Sequence, residues 1–483
     1  MADLSRQEGM LSTVRLGSAK VGIIGSGTIA NFLCAYLAGL GIGELVLVSD
    51  DCSTRRSSSL PIAAMSPDSS GKRTNLERLA DVGEMINKDM RICSYHSRFN
   101  RIFTEDCSVI VDTTNSPDSK YVSMVHSRAQ GSAYISCSSS ATGFSVHAIR
   151  EGAGDCGPGS TESSLLMARF ARFAQKRQGS FTSGIAAAVA ADEVRKSVHP
   201  LAADILLRGG IGYCIESEDR FSDSGYSSAA RQPIYSRTAG KSVLVVGAGG
   251  IGTYALINLA MLGFDIELFD DDAVESHNLN RQVIHFGAEG SNKADEAARK
   301  LLRINPELHI GIHDYRLTRE WLRQSRREGR RYDMIFSCVD NWSTRSELND
   351  YARLTRTPVF NGGVSTFEAL VDYFIPGKTH CLECSNDYRR RTREENEAEN
   401  GVVSCGQLPA NIVMPNAVAG SLMVAESMQV FSPSIAPMLK DARISYESNA
   451  PDDERFTVQD SSLDCGGRGD YRHNCRCHTY LSG

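Results

Sequence analysis

The chain has 483 residues, 52 Lys+Arg against 58 Asp+Glu for a net charge of -6, 14 cysteines, and a composition that is 41% hydrophobic and 7% aromatic. That length suggests roughly two to four domains of about 150 residues, and the acidic balance disfavours a protein whose main task is to coat nucleic acid or an anionic membrane. No apolar stretch approaches the ~20 residues of a membrane span, the longest running from Phe32 to Gly43; a cytoplasmic protein with reduced cysteines is expected.

In chain order, the first predicted unit is the apolar run Val21–Ile24, a glycine turn at Gly25-Ser-Gly27, a helix over Asn31–Leu40 and a second strand over Glu44–Val48 that ends in Ser49-Asp50-Asp51. A Ser/Thr/Arg-rich stretch, 52–72, follows it, and a further strand closes on Thr114-Asn115. Polar, Ser/Arg/Gly-rich residues 216–241 mark a boundary. The pattern then repeats: Val243–Val246, glycines at Gly247, Gly249, Gly250 and Gly252, a helix over Thr253–Leu262, a strand over Ile266–Phe269 and the acidic run Asp270-Asp271-Asp272. Gly25 falls on Gly247, an offset of 222 residues, and a strand over Asp333–Ser337 leads to Asp340-Asn341, set against Thr114-Asn115 of the first copy. Each unit reads as βαβ with a phosphate-type loop. The expected fold class is therefore α/β, with two tandem Rossmann-like domains, 1–215 and 216–483, paired as an intramolecular pseudo-dimer.

The copies differ in chemistry. A glycine loop followed about 20 residues later by Asp270 would suit a dinucleotide site. The second copy continues with Asn278-Leu-Asn-Arg281-Gln282, then Lys293, then Asp340-Asn341. Hydride transfer needs no Arg and Lys beside the loop, whereas a triphosphate does: Arg281 and Lys293 can neutralise its oxygens and Asp340 can hold Mg²⁺. Read singly, the two cations are surface charges and Asp340 a helix cap. The first copy has Ser49 in place of Asp270 and nothing like the Asn278–Gln282 run, so it is expected to be structural. As an ordered set the second copy resembles the ThiF/MoeB superfamily of adenylating enzymes, which includes the ubiquitin-activating enzymes, over roughly 240–431. The resemblance implies that Asp270 binds the ATP ribose, that Asn278, Arg281 and Lys293 bind phosphates, with Gln282 and Asn341 beside them, and that Asp340 binds magnesium. It also implies a cross-domain arginine from the amino terminus, for which Arg15 is the candidate.

Cys381-Leu-Glu-Cys384 has zinc-ligand spacing but is half a site. Superfamily members typically close such a site with a distal pair, here Cys475 and Cys477, with His478 or Cys465 as alternatives. Cys405, after the charged run 389–400 (expected to be a loop) and before a helix predicted over Ala417–Val430, stands where compact members of the superfamily carry a catalytic cysteine. A thiolate there could turn an acyl-adenylate into a retained thioester. Cys34, Cys107 and Cys338, and histidines such as His277 and His285, are expected to be packing or surface residues. The resemblance thus implies ATP, Mg²⁺ and Zn²⁺, a ubiquitin-like protein with a carboxy-terminal glycine, and a conjugating enzyme. A sulfur-carrier protein or a peptide carboxylate is the alternative substrate, a nicotinamide-dependent oxidoreductase the rival of another class, and a non-catalytic scaffold a further one.

Overall fold

The computed structural model describes residues 3–460 except 6, 8–9, 55–59, 67–72, 100, 150–160, 175, 200–205, 208, 218–219, 222–237, 387, 402–410, 433–434 and 436–441. Residues 20–214 supply one sheet: β1 (Lys20–Ile24), β2 (Glu44–Ser49), β3 (Arg91–His96), β4 (Val109–Asp112), β5 (Ala133–Ser139), β6 (Gly143–Ile149) and β7 (Gly210–Cys214), in the order β3-β2-β1-β4-β5-β6-β7. Residues 242–460 supply the other: β8 (Ser242–Val246), β9 (Asp265–Phe269), β10 (Ile310–His313), β11 (Met334–Ser337), β12 (Val359–Val364), β13 (Glu368–Phe374), β14 (Ala442–Glu447) and β15 (Phe456–Asp460), ordered β10-β9-β8-β11-β12-β13-β14-β15. Seven positions correspond one to one. In each sheet the first five strands are parallel and the rest antiparallel, so the repeat seen at the two glycine loops extends to the whole sheet.

The helices are α1 (Thr13–Ser18), α2 (Thr28–Leu40), α3 (Pro61–Ala64), α4 (Asn75–Ile86), α5 (Pro117–Ala129), α6 (Thr161–Ala171) and α7 (Ser180–Val198) in the first half. In the second half they are α8 (Gly250–Met261), α9 (Lys293–Ile304), α10 (Arg319–Arg327), α11 (Trp342–Thr355), α12 (Leu382–Asn386), α13 (Tyr388–Gly401) and α14 (Val413–Ser427). Helices α2 and α8 leave the two glycine loops and, with α7 and α14, form one apolar core shared by both halves. α2 and α7 are apolar or small on nearly every face, as suits helices surrounded by protein. Glycines let the backbones approach: a Cβ at Gly184 would lie 2.8 Å from Ser421 Oγ, and one at Gly420 would collide with the carbonyl of Ile251.

Reciprocal polar ties lock the halves. Tyr213 on β7 and Arg220 just beyond it reach Glu426 on α14 at 2.8 and 3.2 Å. Tyr446 and Arg455 of the second half reach Asp192 and Glu193 on α7, each at 2.9 Å. All seven side chains are buried; Glu426 and Asp192 are each met by a phenol and at least one cation, and Glu193 by Lys196 and Arg455, as buried charge requires. Among the described residues no helix is long and apolar enough to cross a membrane.

The structure corrects two local expectations. The charged run 389–400 is helical, in α13, not a loop: Arg, Glu and Ala favour helix, Arg390 and Glu394 pair at i,i+4 with a 2.7 Å contact, and the helix packs on α11. The repeat also shifts register downstream. Thr113 and Cys338 donate equivalent N–H bonds to the carbonyls of Ile24 and Val246, both 2.9 Å, and Ser116 and Asn341 are the N-caps of α5 and α11. Asn115, not Thr114, therefore stands opposite Asp340.

Candidate nucleotide site

In the second half, β8 ends at Val246 and the chain turns at Gly247, whose φ of +98° favours glycine. Gly247 N–H donates to Phe269 O at 2.8 Å, fastening the loop to β9. A Cβ at Gly252 would collide with the carbonyl of Gly247, and one at Gly250 with the Asn416 side chain on α14. At Gly249 the nearest described atom to such a Cβ is Gln282 Nε2 at 3.8 Å, so among the described residues the loop's outer side is open. The N-cap of α8 is Gly249, which has no side chain to cap it. An open, uncapped helix amino terminus behind a glycine loop offers backbone N–H groups and a positive dipole end to an anion.

Asp270 closes one side of this cradle. Its Oδ2 accepts from Ala248 N at 2.6 Å and its Oδ1 from Asp272 N at 3.0 Å. Burial pushes its carboxyl above the ordinary aspartate value, against the pull of Lys293 and both backbone donors. Lys293, the first residue of α9, pairs with Asp272 Oδ2 at 2.6 Å, and Asn292, the cap of that helix, donates to the Asp270 carbonyl at 3.1 Å.

The Asn278–Gln282 run forms the other side. Arg281 is buried; its guanidinium donates to Asn278 Oδ1 at 2.9 Å, Asn280 Oδ1 at 3.0 Å and His277 O at 3.1 Å. Asn278 thus orients the arginine rather than standing apart from it. The amide of Gln282 is buried beside the loop, and its Oε1 has no hydrogen-bond partner among the described residues.

Asp340 lies exposed past the end of β11. Asn341, not Asp340, caps α11, its side chain accepting from Thr344 N at 2.9 Å, which leaves the Asp340 carboxylate for another use. The turn is held by Arg345, which donates to Val339 O at 2.7 Å and Gly362 O at 2.9 Å. α13 pins the same helix start: Glu395 accepts from Trp342 N at 2.9 Å, and Arg345 and Arg391 both lie over the Trp342 ring, at 5.0 and 4.6 Å. Arg345, Trp342 and Glu395 were missed from sequence, since only the fold brings α13 to α11; the 342/345 spacing was the available signal.

Arg15 is exposed on α1, where its charge bears on His199 at the end of α7. Among the described amino-terminal residues, Asp3 touches the Asn278 region, accepting from Ser276 Oγ at 3.1 Å. Cys381 is buried and its Sγ lies 3.6 Å from Cys384 Sγ, against about 3.8 Å for two thiolates on a tetrahedral zinc, so the pair fits half of such a site. Cys405, Cys465, Cys475, Cys477 and His478 lie outside the described residues. Among the described residues no group of three or more His, Cys, Asp or Glu gathers as a metal site.

The first loop has the same backbone and different contents. Gly25 has φ +103° and donates to Val48 O at 2.8 Å. Here Gln178 fills the cradle: its Oε1 accepts from Ile29 N at the start of α2 at 3.0 Å and its Nε2 donates to Thr113 O at 2.8 Å. Ser49, in the place of Asp270, bonds Ser26 Oγ at 3.0 Å. Asn115, in the place of Asp340, ties Ser139 O and Lys176 O at 2.8 and 2.9 Å.

A glycine cradle at the carboxyl ends of parallel strands, flanked by Asp270, Arg281 and Lys293, is a Rossmann-type arrangement whose chemistry suits a nucleotide. Residues 228–466 match the ThiF family, and this half is similar to adenylating enzymes of the ThiF/MoeB superfamily. It is 33% identical over 163 residues to ubiquitin-like modifier-activating enzyme 5 of Drosophila ananassae, a match covering 31% of this chain and 41% of that one. It is 37% identical over 134 residues to "Probable adenylyltransferase/sulfurtransferase MoeZ" of Mycobacterium tuberculosis, covering 27% and 33%. A crystal structure of E. coli MccB with ATP aligns at 24% identity and TM-score 0.40, over 47% of this chain and 65% of that one. The chain thus spans less than half the length of these two curated relatives.

Proposed function

We propose that the second half adenylates the carboxy-terminal glycine of a ubiquitin-like protein and that Cys405 then takes the acyl group. A carboxylate oxygen attacks the α-phosphorus of ATP, the bond to the bridging oxygen breaks, and pyrophosphate leaves. The Cys405 thiolate then attacks the acyl carbon, releasing AMP and leaving a thioester for a conjugating enzyme. The observation that carries the reading is the open loop at Gly249 set between Asp270 and the buried Arg281. Asp270 has a carboxylate at the strand end for the ribose hydroxyls. Gly249, the amino terminus of α8, Arg281, Gln282 and Lys293 provide donors for phosphate oxygens, stabilising charge as pyrophosphate departs. Lys293 must exchange Asp272 for phosphate to do so.

Magnesium commonly binds through one or two carboxylates plus substrate phosphates, so an exposed Asp340 beside the loop fits it; bound there, the ion would neutralise phosphate charge. Cys381 and Cys384 would hold a structural zinc with two ligands from 465–478, tying the tail to β13 through α12. Arg15 as the cross-domain arginine draws support only from its place near the amino terminus. Domain limits at 1–215 and 216–483 follow the division between the two sheets. The match to modifier-activating enzyme 5 supports a ubiquitin-like substrate; the match to MoeZ supports the second reading, activation of a sulfur-carrier protein or peptide carboxylate without conjugation. Nothing in the contacts of Arg281, Lys293 or Asp340 favours hydride transfer.

ATP–pyrophosphate exchange tests the reading: it should appear only with an added protein ending in glycine, and exchange that needs no such partner would remove the protein substrate. A thiol-sensitive adduct that persists in Cys405→Ala would remove that cysteine from the mechanism.

A further inference from the structure

His285 stands outside the set of ligand-facing residues, yet it touches the glycine loop itself. It ends the short 3-10 turn Val283–His285 that follows Gln282, and it is fully buried. Its Nε2 lies 2.7 Å from the carbonyl of Ala248. A carbonyl only accepts, so Nε2 must carry the hydrogen. Burial pushes the ring down to about 4, so it is neutral and Nδ1 is bare; that nitrogen is buried without a hydrogen-bond partner. A buried unmet acceptor is costly, and an apolar side chain would avoid it.

The contact gives this cost a purpose. The Ala248 residue is held from both sides: its N–H by Asp270 and its carbonyl by His285. The turn bearing His285 is in turn anchored to α9 by Lys300, which donates to the carbonyl of Phe286. His285 therefore connects the two segments that must meet around a triphosphate, the Gly247–Gly252 loop and the Arg281–Gln282 run. We propose that His285 is a positioning residue that fixes the glycine loop against the Arg281–Gln282 segment in the geometry that receives the phosphates. It reaches no phosphate itself and acts through the Ala248 carbonyl. The proposal rests on the adenylation reading for its ligand, but its structural part, the ordering of the loop, does not.

Two variants and two readouts test it on the full chain. His285→Leu removes the donor and keeps the bulk, whereas His285→Gln keeps an N–H at similar reach. Amide hydrogen exchange without nucleotide should rise at residues 247–250 in His285→Leu and stay near wild type in His285→Gln. ATP binding should weaken roughly 10-fold in the leucine variant, the scale of one well-placed hydrogen bond network, and stay within about 3-fold in the glutamine variant. Global unfolding, which a packing role would move, should change equally little in both. Unchanged loop exchange in His285→Leu, or equal loss in both variants, would overturn the proposal. Loop exchange that behaves as expected in a wild-type chain that binds no ATP would instead overturn the adenylation reading and leave the positioning role standing.

Discussion

The two glycine loops share a backbone and differ in what fills them. At both, glycine turns at φ near +100° and the loop N–H is fastened to the neighbouring strand. In the first, Gln178 places an amide oxygen on the start of α2, Ser49 replaces the carboxylate and Asn115 is spent on two backbone carbonyls. In the second, the described side chain nearest Gly249 is Gln282, whose Nε2 would lie 3.8 Å from a Cβ there, Asp270 holds the loop with a carboxylate, and Asp340 is left exposed. The lesson is that a helix amino terminus binds an anion only where the protein has not already satisfied it. In the first half three side chains, Gln178, Ser49 and Asn115, satisfy the loop from within, while α7 and its carboxylates brace the second half.

The largest expected effect that separates the loops is at the strand ends. Asp340→Ala should reduce pyrophosphate exchange by about 100-fold or more, if a metal ion is what it holds; Asn115→Ala should leave exchange intact and lower stability. Equal losses would break the comparison. Asp270→Asn sharpens it: ATP should bind roughly 10-fold more weakly, the worth of a hydrogen bond to a charged group. Burial raises the Asp270 carboxyl, so its ionisation costs stability at neutral pH; the Asn amide removes that cost but can accept from only one of the Ala248 and Asp272 N–H groups, so a thermal melt should move little.

Several of these contrasts could be read from residues alone. The β-branched runs, the glycines and Asp270 placed both βαβ units and the nucleotide loop, because strand period and glycine turn chemistry are local. The pairing of Thr114 with Asp340 failed by one residue, since the count between strand and cap differs between copies and only the hydrogen-bonded register shows it. Gln178 and Glu395 were invisible for another reason: each acts on a segment distant in sequence, and a lone Gln or a Glu in a charged run carries no local signature. His285 was set aside as a packing residue for the same cause. Helix α13 was mistaken for a loop because its charges lack the apolar period on which helix prediction leans.

Smaller effects concern the scaffold. In acid, His285 and His147, pushed by burial to about 4 and about 3, stay neutral in the fold while their unfolded forms protonate near 6.5. Stability should therefore be full above about pH 6.5 and fall as pH drops toward 4. Below that, Asp192 adds to the loss: burial opposes its charge, but Lys196, Arg195 and Arg455 hold it well below the ordinary range. Denaturant titrations between pH 7 and pH 3 would show this, and a flat profile would refute it. The smallest effect is Gln178→Ala, which should cost about 1 kcal/mol, as for a lost helix cap, with pyrophosphate exchange unchanged.

Only the second loop should take a nucleotide, because the first is filled by the chain's own amide. Calorimetric titration of the full chain with MgATP tests it most directly. The prediction is one nucleotide per chain, with binding weakened in Asp270→Asn and unaltered in Gln178→Ala. Two nucleotides per wild-type chain, or binding that survives Asp270→Asn at full strength, would contradict it.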